Sequence, residues 1–260
     1  MSENIIYCYS GSGNCLDMAK KIAAGLGDTD IVMMRTRPEI TETYGYKRVG
    51  FVFPCYGGGL PGDVEKYIKE LKISAGAYKF GVVQYAGYMG CGLHKIDELV
   101  GLDYWTGISN HSACIWLMPH TLTLPHTTLE EAQERTDKAA QKIAADVKAG
   151  VIKEKKPPRR ILNAAESAGF GNVNKLISQK MSANGSCIGC GQCADICPKG
   201  NIRMVGGKPQ FGTNCIGCLS CVQFCPKEAI NVGTITEKRE RFHNKNVTAA
   251  DLTKKVIHID

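Results

Sequence analysis

Two cysteine runs in the last third of the chain constrain its fold and chemistry more than any other feature. The first reads C-I-G-C-G-Q-C-A-D-I-C-P from Cys187, and the second reads C-I-G-C-L-S-C-V-Q-F-C-P from Cys215. They start 28 residues apart and share the spacing C-x2-C-x2-C-x3-C-P, so they form an internal repeat. This spacing is typical of chains that hold two [4Fe–4S] clusters, in which the fourth cysteine of each run binds the other cluster.

The crossed pattern assigns four cysteines to each cluster. One predicted set is Cys187, Cys190, Cys193 and Cys225, and the other is Cys197, Cys215, Cys218 and Cys221. Structural zinc is a weaker interpretation, because zinc sites pair two C-x-x-C units across a longer gap, without a third cysteine two residues on. Disulfides suit small secreted chains, whereas here Met1–Asn4 leads directly into a strand-like run. We therefore expect a reducing, cytoplasmic location.

Length and charge bound the other possibilities. A chain of 260 residues predicts about two domains, and no apolar run reaches the 18 residues of a membrane span. Residues 1–152 carry a net charge of −2 and residues 153–260 a net charge of +9. Two clusters would add about four negative charges to the basic half, since metal sites are counted with their own charge. The positive charge that remains on residues 153–260 favours docking to an acidic redox partner or to the first half of the chain. We expect no nucleic-acid binding.

The first half begins with a strand, a small-residue loop and a helix. Asn4–Tyr9 is an apolar run, the loop reads S-G-S-G-N-C, and apolar residues then recur at helical spacing as far as Leu26. Small residues let the backbone pack around an anion, and a helix N-terminus supplies free N–H groups. The loop lacks the lysine of a nucleoside-triphosphate loop, so a terminal monophosphate fits better. A tight turn in an ordinary α/β domain remains the alternative.

Strands and helices alternate through the rest of this half, which predicts a doubly wound parallel sheet. The glycine-rich loops after strands one, three and four would then meet at the carboxyl edge of the sheet, where such folds bind ligands. The later strands are predicted at Asp30–Met34, Arg48–Phe53, Lys79–Gln84 and within Ile108–Met118, with helices at Val64–Leu71, Leu93–Val100 and Leu129–Ala149.

The three loops, S-G-S-G-N-C, F-P-C-Y-G-G-G-L-P and Y-A-G-Y-M-G-C-G-L, resemble the FMN loops of flavodoxins. Together with the cysteine repeat, essentially the whole chain resembles the flavodoxin–ferredoxin fusion family. The resemblance implies an α/β, flavodoxin-like domain with a five-stranded parallel sheet, followed by a small α+β ferredoxin-like domain with two [4Fe–4S] clusters. Its implied cofactors are those two clusters and FMN.

The resemblance also implies which residues contact FMN. The phosphate would lie against Ser10, Gly11, Ser12, Gly13, Asn14 and Cys15. The isoalloxazine would lie between Pro54, Cys55, Tyr56, Gly57 and Gly58 on one side and Tyr85, Ala86, Gly87, Tyr88, Gly90 and Cys91 on the other. A peptide near Gly57 would address the flavin N5.

Cys15 departs from the family pattern, in which the loop commonly ends in threonine. A thiol is a much weaker hydrogen-bond donor than a hydroxyl, so we expect FMN to be held less tightly, although the backbone N–H groups should still bind the phosphate. A reactive thiol is the alternative, because a helix N-terminus lowers the pKa of a cysteine.

The predicted organisation has four parts. Residues 1–152 form the flavodoxin-like domain, residues 153–181 a linker and helix, residues 182–234 the ferredoxin domain and residues 235–260 a tail with a helix. The charged, proline-containing run Lys153–Arg160 marks the linker, because no helix continues through its two prolines.

These features predict an electron-transfer flavoprotein that relays electrons between an external low-potential carrier, the two clusters and FMN. The alternative is an FMN-dependent reductase of a small oxidised substrate, with Tyr56, Tyr88 and Cys91 lining its site. A third hypothesis is a structural metal domain joined to a protein-interaction module. No side chain indicates a general acid or nucleophile. The direction of electron flow stays open, as does a homodimer in which the flavin of one chain lies near a cluster of the other.

Overall fold

A computed structural model of the chain describes residues 2–39, 43–117, 127–155 and 174–260. Its largest element is a six-stranded sheet. The six strands are β1 (Asn4–Cys8), β2 (Thr29–Met33), β3 (Arg48–Pro54), β4 (Tyr78–Tyr85), β5 (Tyr104–Ser109) and β10 (Val256–Ile259). Their order in the sheet is β10-β2-β1-β3-β4-β5. Strands β1 to β5 run parallel, and β10 pairs antiparallel with β2.

Four helices cover the two faces of this sheet. They are α1 (Asn14–Leu26), α2 (Val64–Lys69), α3 (Gly92–Val100) and α4 (Leu129–Lys148). Apolar side chains of α1 and α4 form the core on one face, and those of α2 and α3 form the core on the other. A reciprocal capping box between Thr128 and Glu131 fixes the start of α4. In the described part of the chain, none of the helices is both long and apolar enough to cross a bilayer.

The order of the five parallel strands confirms the predicted doubly wound, flavodoxin-like sheet. The chain passes from β1 outwards to β2 and then crosses back to β3 on the other side of β1. The carboxyl ends of β1 and β3 therefore border the point where the winding reverses, which is where doubly wound sheets bind their ligands.

The fifth strand was predicted within Ile108–Met118, and this placement is wrong, because β5 is Tyr104–Ser109. The apolar residues after β5 serve a different surface. Ile115 is fully buried and packs in a cluster with Leu219, Val222 and Ile230, all of which belong to the cysteine-rich part of the chain. A hydrophobic run that was predicted as a strand thus forms one of the contacts between the two halves.

The cysteine-rich part is small and mixed α+β, as predicted. Its strands pair as β6 (Met181–Ala183) with β9 (Ile230–Val232), and as the hairpin β7 (Ile202–Val205) and β8 (Lys208–Phe211). Two one-turn helices, α5 (Gln192–Asp195) and α6 (Ser220–Gln223), each contain the third cysteine of a run. Residues 174–180 are also helical. Most of the predicted linker, residues 156–173, lies outside the described residues.

The two cysteine runs repeat their backbone as well as their sequence. Gly191 and Leu219 occupy equivalent positions before α5 and α6, and both are left-handed, with φ of 82° and 56°. This conformation costs a residue with a side chain about 1–2 kcal/mol. The Leu219 side chain is only 5 % exposed and packs in the small core, which offsets that cost.

The tail returns to the first domain. Its helix α7 (Ala249–Thr253) starts with a capping box formed by Thr248 and Asp251, and Lys20 of α1 forms an ion pair with Asp251 at 3.3 Å. Strand β10 then covers the free edge of β2. Segments from both ends of the chain therefore build one sheet, with the cysteine-rich part between them in sequence.

The attachment of β10 is expected to depend on pH through His258. This side chain lies opposite Asp30 in the β2–β10 register, with its ring nitrogens 3.0 Å from carboxylate oxygens of Asp30 and Asp260. Its hydrogen bonds with these two carboxylates raise the pKa of His258 above the ordinary value. A raised pKa stabilises the attached strand fully below pH 6.5, and the contribution is lost as the pH rises through the folded pKa. Hydrogen-exchange protection of the amides in β10, corrected for intrinsic rates, should therefore fall as the pH is raised above 6.5.

His258→Gln is the control, because glutamine cannot acquire the charge. Its β10 protection should be lower at pH 6 and nearly independent of pH. If the wild-type and glutamine proteins lose protection equally over this range, His258 does not control the attachment.

Candidate functional site

One candidate metal site lies between the cysteine runs, next to the large sheet. One cysteine of the first run and three of the second line a single cavity, namely Cys197, Cys215, Cys218 and Cys221. Much of the remaining wall is apolar and includes Ile202, Phe211 and Leu219. Thiolates in apolar surroundings suit a [4Fe–4S] cluster, whose reduction potential depends on burial. We name this cavity the inner site.

A second cavity, which we name the outer site, is lined by the other four cysteines, Cys187, Cys190, Cys193 and Cys225. Part of the lining of the outer site is exposed to solvent. Cys190 is exposed, and the neighbouring side chain of Ile188 is 62 % exposed. The outer site therefore presents a thiolate and an apolar side chain to solvent.

The two cavities contain the two ligand sets that the crossed pattern predicts, because the fourth cysteine of each run lines the cavity of the other. The sulfurs surround a space and do not converge on one point. In residues 2–39, 43–117, 127–155 and 174–260, no three Cys, His, Asp or Glu side chains lie close enough to hold a single metal ion. A cubane cluster binds each thiolate at a different iron, so ligands around a space fit a cluster.

Backbone N–H groups point at several of the sulfurs. Asn201 donates to the Sγ of Cys197 at 3.3 Å, and Ala229 donates to the Sγ of Cys225 at the same distance. Both donors lie four residues after the fourth cysteine of a run, so the repeat also preserves this contact. Hydrogen bonds to cluster sulfurs stabilise their negative charge and help to set the reduction potential.

The loop of residues 10–15, which we name loop A, connects β1 to α1. The N–H of Gly13 donates to the Ser10 hydroxyl at 3.1 Å, and Gly13 has a φ of 96°. This closed turn requires glycine and aims the start of α1 at the carboxyl edge of the sheet. Ser10, Gly11, Gly13 and Asn14 are buried and Ser12 is half-buried.

Loop B, residues 54–59, follows β3. Gly57 and Gly58 have φ values of 51° and 73°, and Tyr56 and Gly59 exchange two backbone hydrogen bonds across the turn. The Tyr56 ring packs edge-on against Tyr9 with 6.3 Å between centroids. Its hydroxyl lies so close to Gly11 that a Cβ added there would clash with it. Loop B thus contacts loop A.

Loop C, residues 85–92, follows β4 and contacts loop B. The Cys91 N–H donates to the carbonyl of Gly58 at 2.7 Å. Gly90, with a φ of 69°, lies where a Cβ would clash with the same carbonyl. Tyr85, Ala86 and Tyr88 are half-buried, and Gly87 is exposed. The structure therefore brings the three predicted flavin loops together at the carboxyl ends of β1, β3 and β4.

Buried polar groups at this edge test whether FMN fits the residues around it. The hydroxyls of Tyr9 and Ser109 and the side-chain amide of Gln84 are buried and make no hydrogen bond within the described residues. They lie just after β1, at the end of β5 and near the end of β4. An unpaired buried polar group costs free energy, and a polar ligand at the edge would supply partners. The polar edge and the glycine turns fit a flavin nucleotide in kind.

Cys15 is buried, which counts against the reactive-thiol alternative considered from sequence. It is 2 % exposed and packs in the core beneath α1. Burial raises the pKa of the Cys15 thiol well above its ordinary value, and the neighbouring Cys8 adds to the effect. Burial therefore outweighs the helix N-terminus in its effect on the pKa of this thiol.

Loop A is also in direct contact with the inner site and the tail. The carbonyl oxygen of Cys218 lies 2.7 Å from the position that a Cβ of Gly11 would take, and the Ser220 hydroxyl donates to the Gly11 carbonyl at 2.8 Å. The N–H of Asn244 donates to the Ser12 carbonyl at 2.8 Å. The loop is therefore enclosed by segments that follow it by more than 200 residues.

Sequence reasoning missed three residues at this junction. They are Ser220, Asn244 and Arg35, whose guanidinium donates to the Ser10 carbonyl of loop A. Ser220 carried a usable signal, since it stands where the first cysteine run has Gln192, and such differences between repeats mark positions with distinct surroundings. Arg35 and Asn244 carried none, because each is a single polar residue outside any repeat or motif.

Comparison with known families matches residues 186–230 to the 4Fe-4S dicluster domain. The matched segment contains all eight cysteines of the repeat, and this part of the chain is thus a domain for two [4Fe–4S] clusters. A search of curated protein sequences finds no match.

Solved structures show only weak overall similarity. Rubredoxin oxygen:oxidoreductase from the anaerobe Desulfovibrio gigas is 15 % identical with a TM-score of 0.37, covering 56 % of this chain and 36 % of that one. An FMN-dependent NADH-azoreductase from Bacillus anthracis, solved with FMN, is 8 % identical with a TM-score of 0.41, covering 56 % and 99 %. A flavodiiron core from Synechocystis is 16 % identical with a TM-score of 0.37, covering 57 % and 36 %. The matches therefore span about a third of the length of the two larger chains.

Proposed function

We propose that this chain is an electron-transfer iron–sulfur flavoprotein, in which two [4Fe–4S] clusters connect an external low-potential carrier to FMN. The observation that carries the proposal is the contact between the inner site and loop A. Cys218, a predicted ligand of the inner cluster, lies against Gly11, and its neighbour Ser220 donates to the same glycine. A cluster and a flavin phosphate loop that share a wall are arranged for transfer within one molecule.

The outer site supports a role as the contact with the external carrier. Its cysteine Cys190 and the adjacent Ile188 are exposed, whereas the inner site lies against the first domain. Transient redox complexes use small interfaces, and an exposed apolar residue beside a thiolate provides such a contact. Electrons would therefore enter or leave at the outer site, and the inner site would serve the flavin edge.

FMN would be held by the three loops. The start of α1 and the backbone of loop A would bind the phosphate, since N–H groups and the helix dipole favour an anion there. Loops B and C would hold the ring, with Tyr56, Gly58 and Tyr88 closest to it by analogy with the loop patterns. Bound FMN would exchange electrons one or two at a time, whereas each cluster exchanges only one.

The side chains of this chain would position and enclose the cofactors. Tyr9, Gln84 and Ser109 offer unpaired polar atoms to the edge of the sheet. Asn244 and Val247 lie 3.1 Å and 3.0 Å from a Cβ built on Gly13, so they close loop A from the tail side and keep water from the start of α1. Exclusion of water strengthens the electrostatic contacts of a bound anion.

The test is anaerobic production followed by analysis of cofactors. The expected protein is brown, contains about eight iron atoms per chain and releases yellow flavin on denaturation. Colourless protein with bound zinc would contradict the proposal and leave the structural-metal hypothesis. A protein with full iron content that neither retains FMN nor binds added FMN would support the two clusters and contradict the assignment as a flavoprotein.

Stopped-flow mixing separates the carrier from the reductase alternative. The reduced protein should react slowly and without selectivity with quinones, disulfides and nitro compounds, but rapidly with an oxidised low-potential carrier. Fast turnover of one small compound would favour the FMN-dependent reductase in place of the carrier.

A further inference from the structure

Arg35 is a buried cation at the junction of the two halves. It lies in the 3₁₀ turn Met34–Thr36, directly after β2, and is only 4 % exposed. Arg37, two residues later, is exposed and pairs with Glu70 at 2.9 Å. The two arginines share a segment but differ completely in surroundings.

The guanidinium of Arg35 joins loop A to both cysteine runs. Its Nη1 donates to the Ser10 carbonyl at 2.6 Å and to the Ser220 hydroxyl at 3.2 Å. Its Nη2 donates to the carbonyl of Ile196, the residue before Cys197. Ser220 lies between Cys218 and Cys221, so Arg35 contacts the neighbours of inner-site cysteines from both runs.

These three acceptors are neutral, and none balances the charge of the arginine. Among the ion pairs of the described residues, none includes Arg35. Lys199, which also lines the inner site, differs in this respect because Asp63 lies 3.0 Å from its Nζ. Arg35 is therefore a cation at the inner site without a carboxylate partner.

A buried charge is costly unless an opposite charge lies near it. The inner site supplies that opposite charge, because a [4Fe–4S] cluster with four thiolates is an anion. The Ser220 hydroxyl links the two, since it accepts from Arg35 and lies 3.6 Å from the Sγ of Cys218. The guanidinium is thus one hydroxyl away from a predicted cluster ligand.

We propose that Arg35 is the counter-charge of the inner [4Fe–4S] cluster and raises its reduction potential. Reduction adds one electron and one negative charge to the cluster, and the electron comes from the low-potential carrier. A nearby buried cation stabilises the reduced state more than the oxidised one, because attraction grows with the cluster charge. The proposal depends on the cluster assignment and not on FMN.

The test is an anaerobic dithionite titration followed by EPR, on the holoprotein and four variants. Arg35→Gln should lower the potential of one cluster and leave the other unchanged. At a fixed applied potential, the reduced-to-oxidised ratio of that cluster should fall at least tenfold, which is about 59 mV for a one-electron couple. Arg35→Lys keeps the charge and should retain most of the wild-type ratio.

Two further variants locate the effect. Arg37→Gln removes the exposed arginine that directly follows the same turn, and it should change the reduction potential of neither cluster. Ser220→Ala keeps Arg35 but removes the linking hydroxyl. It should lower the reduction potential of the same cluster as Arg35→Gln does, but by a smaller amount. Iron and sulfide analysis of every sample shows whether both clusters are present.

Three results would overturn the proposal: unchanged potentials in Arg35→Gln with full iron content, an equal fall in Arg35→Lys, or an equal fall in Arg37→Gln. If Arg35→Gln loses iron, the Arg35→Lys and Ser220→Ala titrations decide the question instead, and unchanged potentials in Ser220→Ala would then count against it. Iron analysis of the wild-type protein tests the proposed function separately. Wild-type protein without two clusters would refute that function and not only the role of Arg35.

Discussion

Replacing Cys218 with alanine is expected to remove the inner cluster and leave the outer one. Cys218 lines only the inner site, so the substitution leaves all four cysteines of the outer site in place. Iron should therefore fall from about eight to about four atoms per chain, and the EPR spectrum of the reduced protein should change from two interacting clusters to one. Reduction of bound flavin by an external low-potential carrier should also slow, because the site in contact with loop A is lost.

Cys114→Ala is the matched control, because Cys114 is a half-buried cysteine outside both sets. It should keep the full iron content. Loss of both clusters in Cys218→Ala would show that the inner site is needed to fold the domain. An unchanged rate of flavin reduction with half the iron would mean that electrons bypass the inner site, which would count against the proposed relay.

Gly11→Ala is expected to separate loop A from the inner site. The new methyl group would clash with the Tyr56 hydroxyl and lie 2.7 Å from the Cys218 carbonyl oxygen. The tyrosine can rotate, but the carbonyl belongs to the backbone of a cluster-binding run and cannot move without its cysteine. Overpacking of this kind costs about 1–3 kcal/mol. The loaded protein should unfold at a lower temperature, and electron transfer to flavin should slow with the iron content unchanged.

The control is Gly62→Ala, at an exposed glycine whose added Cβ would have no atom within 4 Å. It should behave as the wild type in unfolding and in electron transfer. If Gly11→Ala also behaves as the wild type, loop A and the Cys218 segment are not in contact in solution, and the observation that carries the proposed function is lost.

The cysteine runs could be interpreted from the sequence because their chemistry is local. Two residues between cysteines determine which sulfurs share a turn, and the two cavities contain the sets that the spacing predicts. The doubly wound sheet could also be predicted, since each parallel strand is followed by a connection with its own apolar pattern. Only β5 was misplaced, because the apolar Ile115 packs against the other domain, and a one-dimensional pattern does not show which core a residue joins.

The contacts between the halves could not be predicted, because they join residues far apart in sequence. Arg35 donates to an oxygen 185 residues away, and Asn244 lies against a loop more than 200 residues before it. A helical or strand period does not encode such pairs. Strand β10 is a similar case, since the charged sequence around Val256–Ile259 favoured only the helix before it, and pairing with β2 is what makes it a strand.

The position of β10 has a consequence for how the protein is made. Strand β2 is synthesised before the cysteine-rich domain, but its outer neighbour β10 is produced only after that domain. Since synthesis proceeds from the N-terminus, the edge of β2 stays open while the cluster-binding cysteines emerge from the ribosome. Strand β10 then pairs with β2 and closes that edge of the sheet. Biogenesis of this protein thus includes an interval in which its cysteines exist before the sheet beside them is complete.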